Sequence, residues 1–305
     1  MDASHRDRLA LEGRALVVVT GKGGVGKTVV AAALAHILAG KGRKVLLLEA
    51  DPRESLHRLF GVPPSGGEVV EAAPGLTLLN ASPRRIIDDV VRDALKVGLL
   101  SRRVLASPIY EHFVEGAPGL KEMMLLGHAL LVTEGEADHQ ADVVVLDAPA
   151  SGHGLTLLSA PLLVAEVIGA GPLGTMAARI ARHVADPART SVILTALAEE
   201  MPVIETLETI EALEERVGRP PELVAVNAVV PPVPKDAATA ARAGAGEAVH
   251  LWRARRAAAD AALEHLGRQW KGPTATLPLL AEDFGPGLVA ALAEALLPQL
   301  AREEP

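Results

Sequence analysis

The run Gly21-Lys22-Gly23-Gly24-Val25-Gly26-Lys27-Thr28 satisfies the pattern G-x-x-x-x-G-K-[ST]. Glycines at this spacing let successive backbone N–H groups face an anion at the start of a helix, where the helix dipole also favours negative charge. The lysine of the pattern reaches the β- and γ-phosphates, and the hydroxyl after it can hold Mg²⁺. Those residues are Lys27 and Thr28 here, with Gly21, Gly23, Gly24, Val25 and Gly26 forming the backbone cradle. Lys22 adds a second cation directly after the first glycine. Upstream, Ala15 to Thr20 is a buried-strand run; downstream, Val29 to Leu38 is an Ala-rich apolar run that reads as a helix. Strand, glycine loop and helix in this order imply a nucleoside triphosphate site.

Two carboxylates stand where such a site needs them. Asp51 follows an apolar strand and sits in Leu48-Glu49-Ala50-Asp51-Pro52-Arg53-Glu54-Ser55-Leu56. A carboxylate at the C-terminal end of a parallel strand points into the crevice where ligands bind, and there it can orient an attacking water. On spacing alone Asp51 reads equally as a turn or N-cap residue before Pro52. The strand Asp142 to Leu146 ends in Asp147-Ala148-Pro149-Ala150-Ser151-Gly152-His153. An apolar strand ending in aspartate is the Mg²⁺-side carboxylate of phosphate-loop NTPases, which assigns Asp147 that role. His153 reads as a hydrogen-bonding residue or switch element of the loop, not as a catalyst.

The elements that must position these groups follow from pattern. Strands are expected at Leu16–Val19, Val45–Glu49, Leu76–Asn80, Val143–Leu146, Val192–Thr195, Leu223–Asn227 and Thr274–Leu277, most of them continuous Val/Leu runs suited to cover on both faces. They alternate with helical stretches, the signature of a parallel sheet with crossover helices. Arg84 to Val132 and Gly154 to Asp186 read as helices only, and are expected to pack together as an inserted helical lobe of one domain spanning 1–305. The segments 62–75 and 230–235 read as Pro/Gly-rich connections, and Ala237 to Leu266 as one long helix. The fold class is therefore α/β, a phosphate-loop NTPase with a mostly parallel sheet flanked by helices. Met123-Met124-Leu125-Leu126 is open to two readings, core or client-facing surface.

Composition narrows the chemistry. The 305 residues are 49% apolar but only 2% aromatic, so the core is Leu, Val, Ala and Ile. The absence of cysteine excludes disulfides, thiolate metal sites and iron–sulfur ligation. A net charge of −8 argues against a broad nucleic-acid surface. Met1 to Arg14 lacks the apolar centre of a signal peptide, and Leu155 to Ala178 carries Glu166, Pro161 and Pro172, which suits a buried or interface helix with breaks better than a membrane span. A cytoplasmic location is expected.

Together GKGGVGKT, ADPRESLHRLFG and LDAPASGHGLTLLSAP resemble the arsenite-pump and tail-anchored-protein-targeting ATPases. These belong to the deviant phosphate-loop class, with the septum-site and chromosome-partition ATPases and the nitrogenase iron protein. Further similarity at Ala117 to Glu122, Leu197 to Pro202 and Val224 to Asn227 extends the resemblance over roughly Leu16 to Leu297. It implies ATP and Mg²⁺ as ligands and a dimer, either a homodimer or a heterodimer with a paralogue. It implies that Lys22 reaches across the dimer to the partner's phosphates, that Asp51 orients the hydrolytic water and that Asp147 is the switch carboxylate. By the same resemblance Asn227 hydrogen-bonds adenine and Glu199 is a carboxylate near the nucleotide.

Departures from the family bear on the client. Ala241 to Gly246, where eukaryotic targeting members carry a zinc-binding Cys-x-x-Cys pair, has no cysteine, and the cysteines of metalloid binding are absent as well. About thirty residues separate Pro161 from Ser191, so a client groove is expected to be small or different. Val29 replaces a second threonine, and Glu208 stands where targeting members place a basic residue. The resulting expectation is a Mg²⁺-dependent ATPase that acts as a dimer switch for a protein or membrane client. A low-turnover, nucleotide-gated subunit pairing with a paralogue is the alternative. A partition-type ATPase ranks lower, because the C-terminal stretch Leu288 to Pro305 is acidic and Arg253, Arg255 and Arg256 read as a solvated helix face.

Overall fold

Strands apolar at every position need cover on both faces, and the chain supplies it. A computed structural model describes residues 11, 13–50, 54–95, 98–149, 154–169, 171–233 and 246–300. Its strands are β1 (Leu16–Thr20), β2 (Val45–Glu49), β3 (Val70–Ala73), β4 (Leu76–Asn80), β5 (Val143–Asp147), β6 (Thr190–Leu197), β7 (Leu223–Val229) and β8 (Thr274–Pro278). They form one sheet in the order β3-β4-β2-β5-β1-β6-β7-β8. Every pairing is parallel except β3 with β4.

The seven expected strands are present, several of them one to four residues longer. The eighth, β3, corrects the reading of 62–75 as connection only. It is a four-residue, partly exposed edge strand folded back on β4 through Pro74-Gly75, with a register shift between Glu71 and Ala73. So short and interrupted a strand carries no apolar run of its own, and its pairing partner defines it.

Between the strands lie α1 (Lys27–Gly40), α2 (Leu56–Phe60), α3 (Pro83–Leu95), α4 (Gly98–Leu105), α5 (Pro108–Gly116), α6 (Leu120–Glu134), α7 (Gly154–Ile168), α8 (Pro172–Ala185), α9 (Glu200–Val217), α10 (Gly246–Gln269) and α11 (Pro286–Leu300). Of the long helix expected from Ala237, the described part starts at Gly246 and runs three residues beyond Leu266. Local signals set some helix starts. The Ser107 side chain accepts a hydrogen bond from the Tyr110 N–H at 3.1 Å, with Pro108 next in line, which begins α5.

Alternating residues of the central strands divide the interior. Val17, Val19, Leu47 and Val145 pack on Val30, Leu34 and Leu38 of α1 and on Leu292 and Leu296 of α11. Val18, Leu46, Leu48, Val144 and Leu146 pack on the opposite side against α6, α7 and α8. Helices α3 and α6, α6 and α7, and α7 and α8 also pack on one another. Met123, Met124, Leu125 and Leu126 are 0–3% exposed within this second cluster, so the Met/Leu run is core. A third cluster joins Leu194, Val224 and Val226 to α9 and α10.

At the β8 edge a side chain takes the place of a neighbouring strand. Gln299 of α11 accepts from the Thr276 N–H through Oε1 and donates from Nε2 to the Thr276 carbonyl, both at 2.9 Å.

His128 of α6 lies against His139, ring centroids 5.4 Å apart, and both Nε2 atoms are buried without a hydrogen-bond partner. Burial, reinforced by the His139 charge, pushes the His128 pKa down from 6.5 to about 4. The unfolded chain binds this proton near 6.5 and the folded chain does not, so stability present above that pH falls as pH drops towards about 4. His139 and His183 are lowered too, and add to the trend. Thermal unfolding should therefore occur at a lower temperature at pH 5 than at pH 7. His128→Leu should flatten that dependence by on the order of 1 kcal/mol of unfolding free energy. An unchanged pH slope in the variant would refute the assignment to His128.

Candidate functional site

Parallel strands deliver their last residues to one edge, and ligands of open α/β sheets bind in the crevice beyond it. Thr20, Glu49, Asp147, Leu197 and Asn227 end or nearly end their strands there. Asp147 is in register with Val19 on one side and Glu49 on the other, and Leu197 with Asn227. The glycine-rich run leaves β1 between β5 and β6 and turns directly into α1.

That turn is fixed by close approach. At Gly21, with φ +143°, a Cβ atom would stand 2.3 Å from the Thr195 carbonyl oxygen of β6. At Gly26, with φ +91°, it would stand 2.1 Å from Asn227 Nδ2 of β7. A side chain fits at neither place, and the left-handed backbone at Gly26 excludes one independently. Asn227, buried at the end of β7, donates from Nδ2 to the Val25 carbonyl at 3.0 Å and braces the loop from beneath. The next residue, Ala228, is held at φ +53°, and the β7–β8 register shifts between Val226 and Val229. A left-handed alanine costs about 1 kcal/mol or more and persists where its surroundings enforce it.

Lys27, 6% exposed, folds over this cradle and donates from Nζ to the Lys22 carbonyl at 2.9 Å. Thr28 donates from Oγ1 to Asp147 Oδ2 at 2.7 Å, tying the first turn of α1 to the end of β5. A threonine hydroxyl and an aspartate oxygen held this close are hard oxygen donors of the kind Mg²⁺ takes, one or two from protein and the rest from phosphate and water. Thr28 and Asp147 thus fit the ion. Gly24, Gly26, Lys27, Thr28 and Asp147 share a cavity of about 310 Å³ with Val29, Ser55, Ala148, Pro149 and Phe284. Arg58 of α2 lies over the Phe284 ring, 5.2 Å from its centroid.

Lys22 points elsewhere. Its Nζ is 3.4 Å from Glu205 Oε1 of α9, with side-chain exposures of 47% and 32%. These two line a second, adjoining cavity of about 200 Å³ with Gly21, Gly154, Glu208 and Thr209.

The structure therefore brings Gly21 to Thr28, Asp147 and Asn227 together. Glu199 is exposed at the N-cap of α9, on the same edge of the sheet, but lines neither cavity. Asp51 and His153 lie outside the described residues, as do Ala241 to Ala245. Glu205, Ser55 and Phe284 were not found as site residues from the sequence. Glu205 sits on an amphipathic helix with several carboxylates, and nothing local marks it as the one facing Lys22. Ser55 and Phe284 lie in irregular segments whose paths only the fold defines.

Known proteins resemble this chain over much of its length. Residues 14–171, which carry the glycine loop, the strand ending at Asp147 and all of α7, match the anion-transporting ATPase family. The ATPase BagA of Mycobacterium tuberculosis is 32% identical over 242 residues, 76% of this chain and 70% of the relative. An arsenical pump-driving ATPase of Escherichia coli is 29% identical over 235 residues, 70% of this chain and 39% of that protein. The ATPase GET3C of Arabidopsis thaliana is 28% identical over 175 residues, 52% of this chain and 44% of the relative. The chain is an ATPase, and it belongs to the anion-transporting ATPase family.

Proposed function

We propose that this chain is a Mg²⁺-dependent ATPase working as a nucleotide-driven dimer switch for a protein or membrane client. The observation that carries the reading is the 2.7 Å hydrogen bond between Thr28 and Asp147. It joins the helix that opens the phosphate site to the strand whose following loop leads into α7. A change at the phosphates can then reach the helices of 84–132 and 154–186, which we read as a lobe of a single domain. We place the switch in the cytoplasm; no described helix is long and apolar enough to cross a membrane.

The reaction is ATP and water to ADP and phosphate. Lys27 and the loop N–H groups bind the β- and γ-phosphates, Asp51 orients the water, and Asn227 and Glu199 contact the nucleotide. Thr28 and Asp147 would hold Mg²⁺, which neutralises charge that develops on the phosphates. Lys22 acts in trans, on the nucleotide of the partner chain. Its ion pair with Glu205 supports slow turnover by a chain on its own, because Lys22 must leave that carboxylate to act. An exposed pair of this kind is worth only about 0–1 kcal/mol, so the exchange is within reach of phosphate binding. The same contact is compatible with the second reading, a low-turnover subunit that waits for a paralogue.

ATP turnover per chain should rise with protein concentration and fall at least about a hundredfold in Lys22→Ala. Tight ATP binding with a negligible, concentration-independent rate would move the weight to the paralogue reading. Asp147→Asn should lower turnover by about two orders of magnitude and raise the Mg²⁺ concentration needed for half-maximal rate. A wild-type Mg²⁺ profile in that variant would remove Asp147 from the site. Glu205→Gln should raise turnover at a fixed low concentration by up to about fivefold. A rate equal to or below wild type would show that the ion pair does not restrain Lys22.

A further inference from the structure

Ser55 stands in the wall of the 310 Å³ cavity with Lys27, Thr28 and Asp147. It is the N-cap of α2, the position where a serine ordinarily uses its hydroxyl to accept from the helix backbone, yet its side chain makes no capping hydrogen bond. Glu49 does the capping instead. This carboxylate is 2% exposed and accepts from the Ser55 N–H at 2.6 Å through Oε1 and from the Leu56 N–H at 3.0 Å through Oε2.

Burying a carboxylate is unfavourable by several kcal/mol unless its oxygens are hydrogen-bonded, and a serine alone caps a helix with no such penalty. The arrangement does two things that simple capping does not. It fixes the backbone of Ser55 to the end of a central strand, and it leaves the hydroxyl of Ser55 out of the cap. The first N–H groups of α2 are taken up by Glu49, so what this segment offers the cavity is the hydroxyl.

A serine hydroxyl donates one hydrogen bond. Beside Lys27 and Thr28, the acceptors it meets in an occupied site are phosphoryl oxygens. We propose that Ser55 donates a hydrogen bond to the terminal phosphoryl group of the bound nucleoside triphosphate, and that Glu49 is the positioning residue that holds it there. The proposal rests on the reading of this cavity as the ATP site. The contact exists with the triphosphate and is lost with the diphosphate, so Ser55 reports the γ-phosphate to α2, which packs against α1 and α11.

The test is binding of ADP and of a non-hydrolysable ATP analogue, each with Mg²⁺, measured by calorimetry on the full chain. Ser55→Ala should weaken the analogue roughly tenfold, the size of one hydrogen bond to a charged acceptor, and leave ADP within about twofold. Ser55→Thr, which keeps the hydroxyl, should restore the preference. Glu49→Gln keeps one acceptor oxygen and should lose part of the same selectivity while still folding, as shown by its melting temperature. A Ser55→Ala protein with wild-type selectivity, or one weakened equally towards both nucleotides, overturns the hydroxyl contact. Wild-type selectivity in Glu49→Gln, where Ser55→Ala has lost it, overturns the positioning role. If the wild type binds neither nucleotide, or Lys27→Ala binds both as well as wild type, the ATP-site reading itself fails, which separates the two outcomes.

Discussion

Two points where only a hydrogen atom fits hold the phosphate loop to the sheet. Gly21 lies against the Thr195 carbonyl and Gly26 against the Asn227 amide, so the loop rests on the ends of β6 and β7. Its other anchor, Thr28, is bonded to Asp147 at the end of β5. Three strands on both sides of β1 therefore set the shape of one short turn. The turn does not have to be assembled by a ligand, because the neighbouring strands already impose its backbone. The strained Ala228 beside Asn227 belongs to the same device: regular pairing of β7 gives way just where its amide has to reach the Val25 carbonyl.

What was legible in the sequence shares one property: it is written locally. The glycine loop needs its residue types in consecutive order, and strands such as Val143 to Leu146 are continuous apolar runs that few other structures can bury. Asp147 was readable because its strand ended on it. β3 was missed because four half-exposed residues carry no period, and only their return onto β4 makes them a strand. The tertiary contacts were beyond reach for the same reason. Nothing around Glu205 says that it faces Lys22 rather than water, and nothing around Glu49 says that it replaces Ser55 as the cap of α2. Asn227 was assigned to the nucleotide by resemblance alone, and its bond to the loop carbonyl emerged only when β7 took its place beside β6.

The sparse aromatic content shapes the packing as well. With few large rings available, small residues fill much of this interior: Ala31, Ala32 and Ala33 of α1, all 0% exposed, lie with Val30 and Leu34 in one cluster with the sheet and α11. The first turn of α1 brings Thr28 to the sheet edge where Asp147 ends. On the opposite face, the unbranched side chains of Met123 and Met124 are buried in one cluster with residues of α7 and α8.

The Gln299 amide at the margin of β8 has a bearing on assembly. A sheet that ends in an unpaired strand invites another chain to hydrogen-bond onto it, which is a route both to continuous two-chain sheets and to aggregation. By supplying an acceptor and a donor to both backbone groups of Thr276, Gln299 imitates one residue of a ninth strand and stops the ladder there. At the far margin, β3 is short, antiparallel and out of register, a poor template for further pairing. With both margins blunted, copies of this chain are steered away from joining edge to edge.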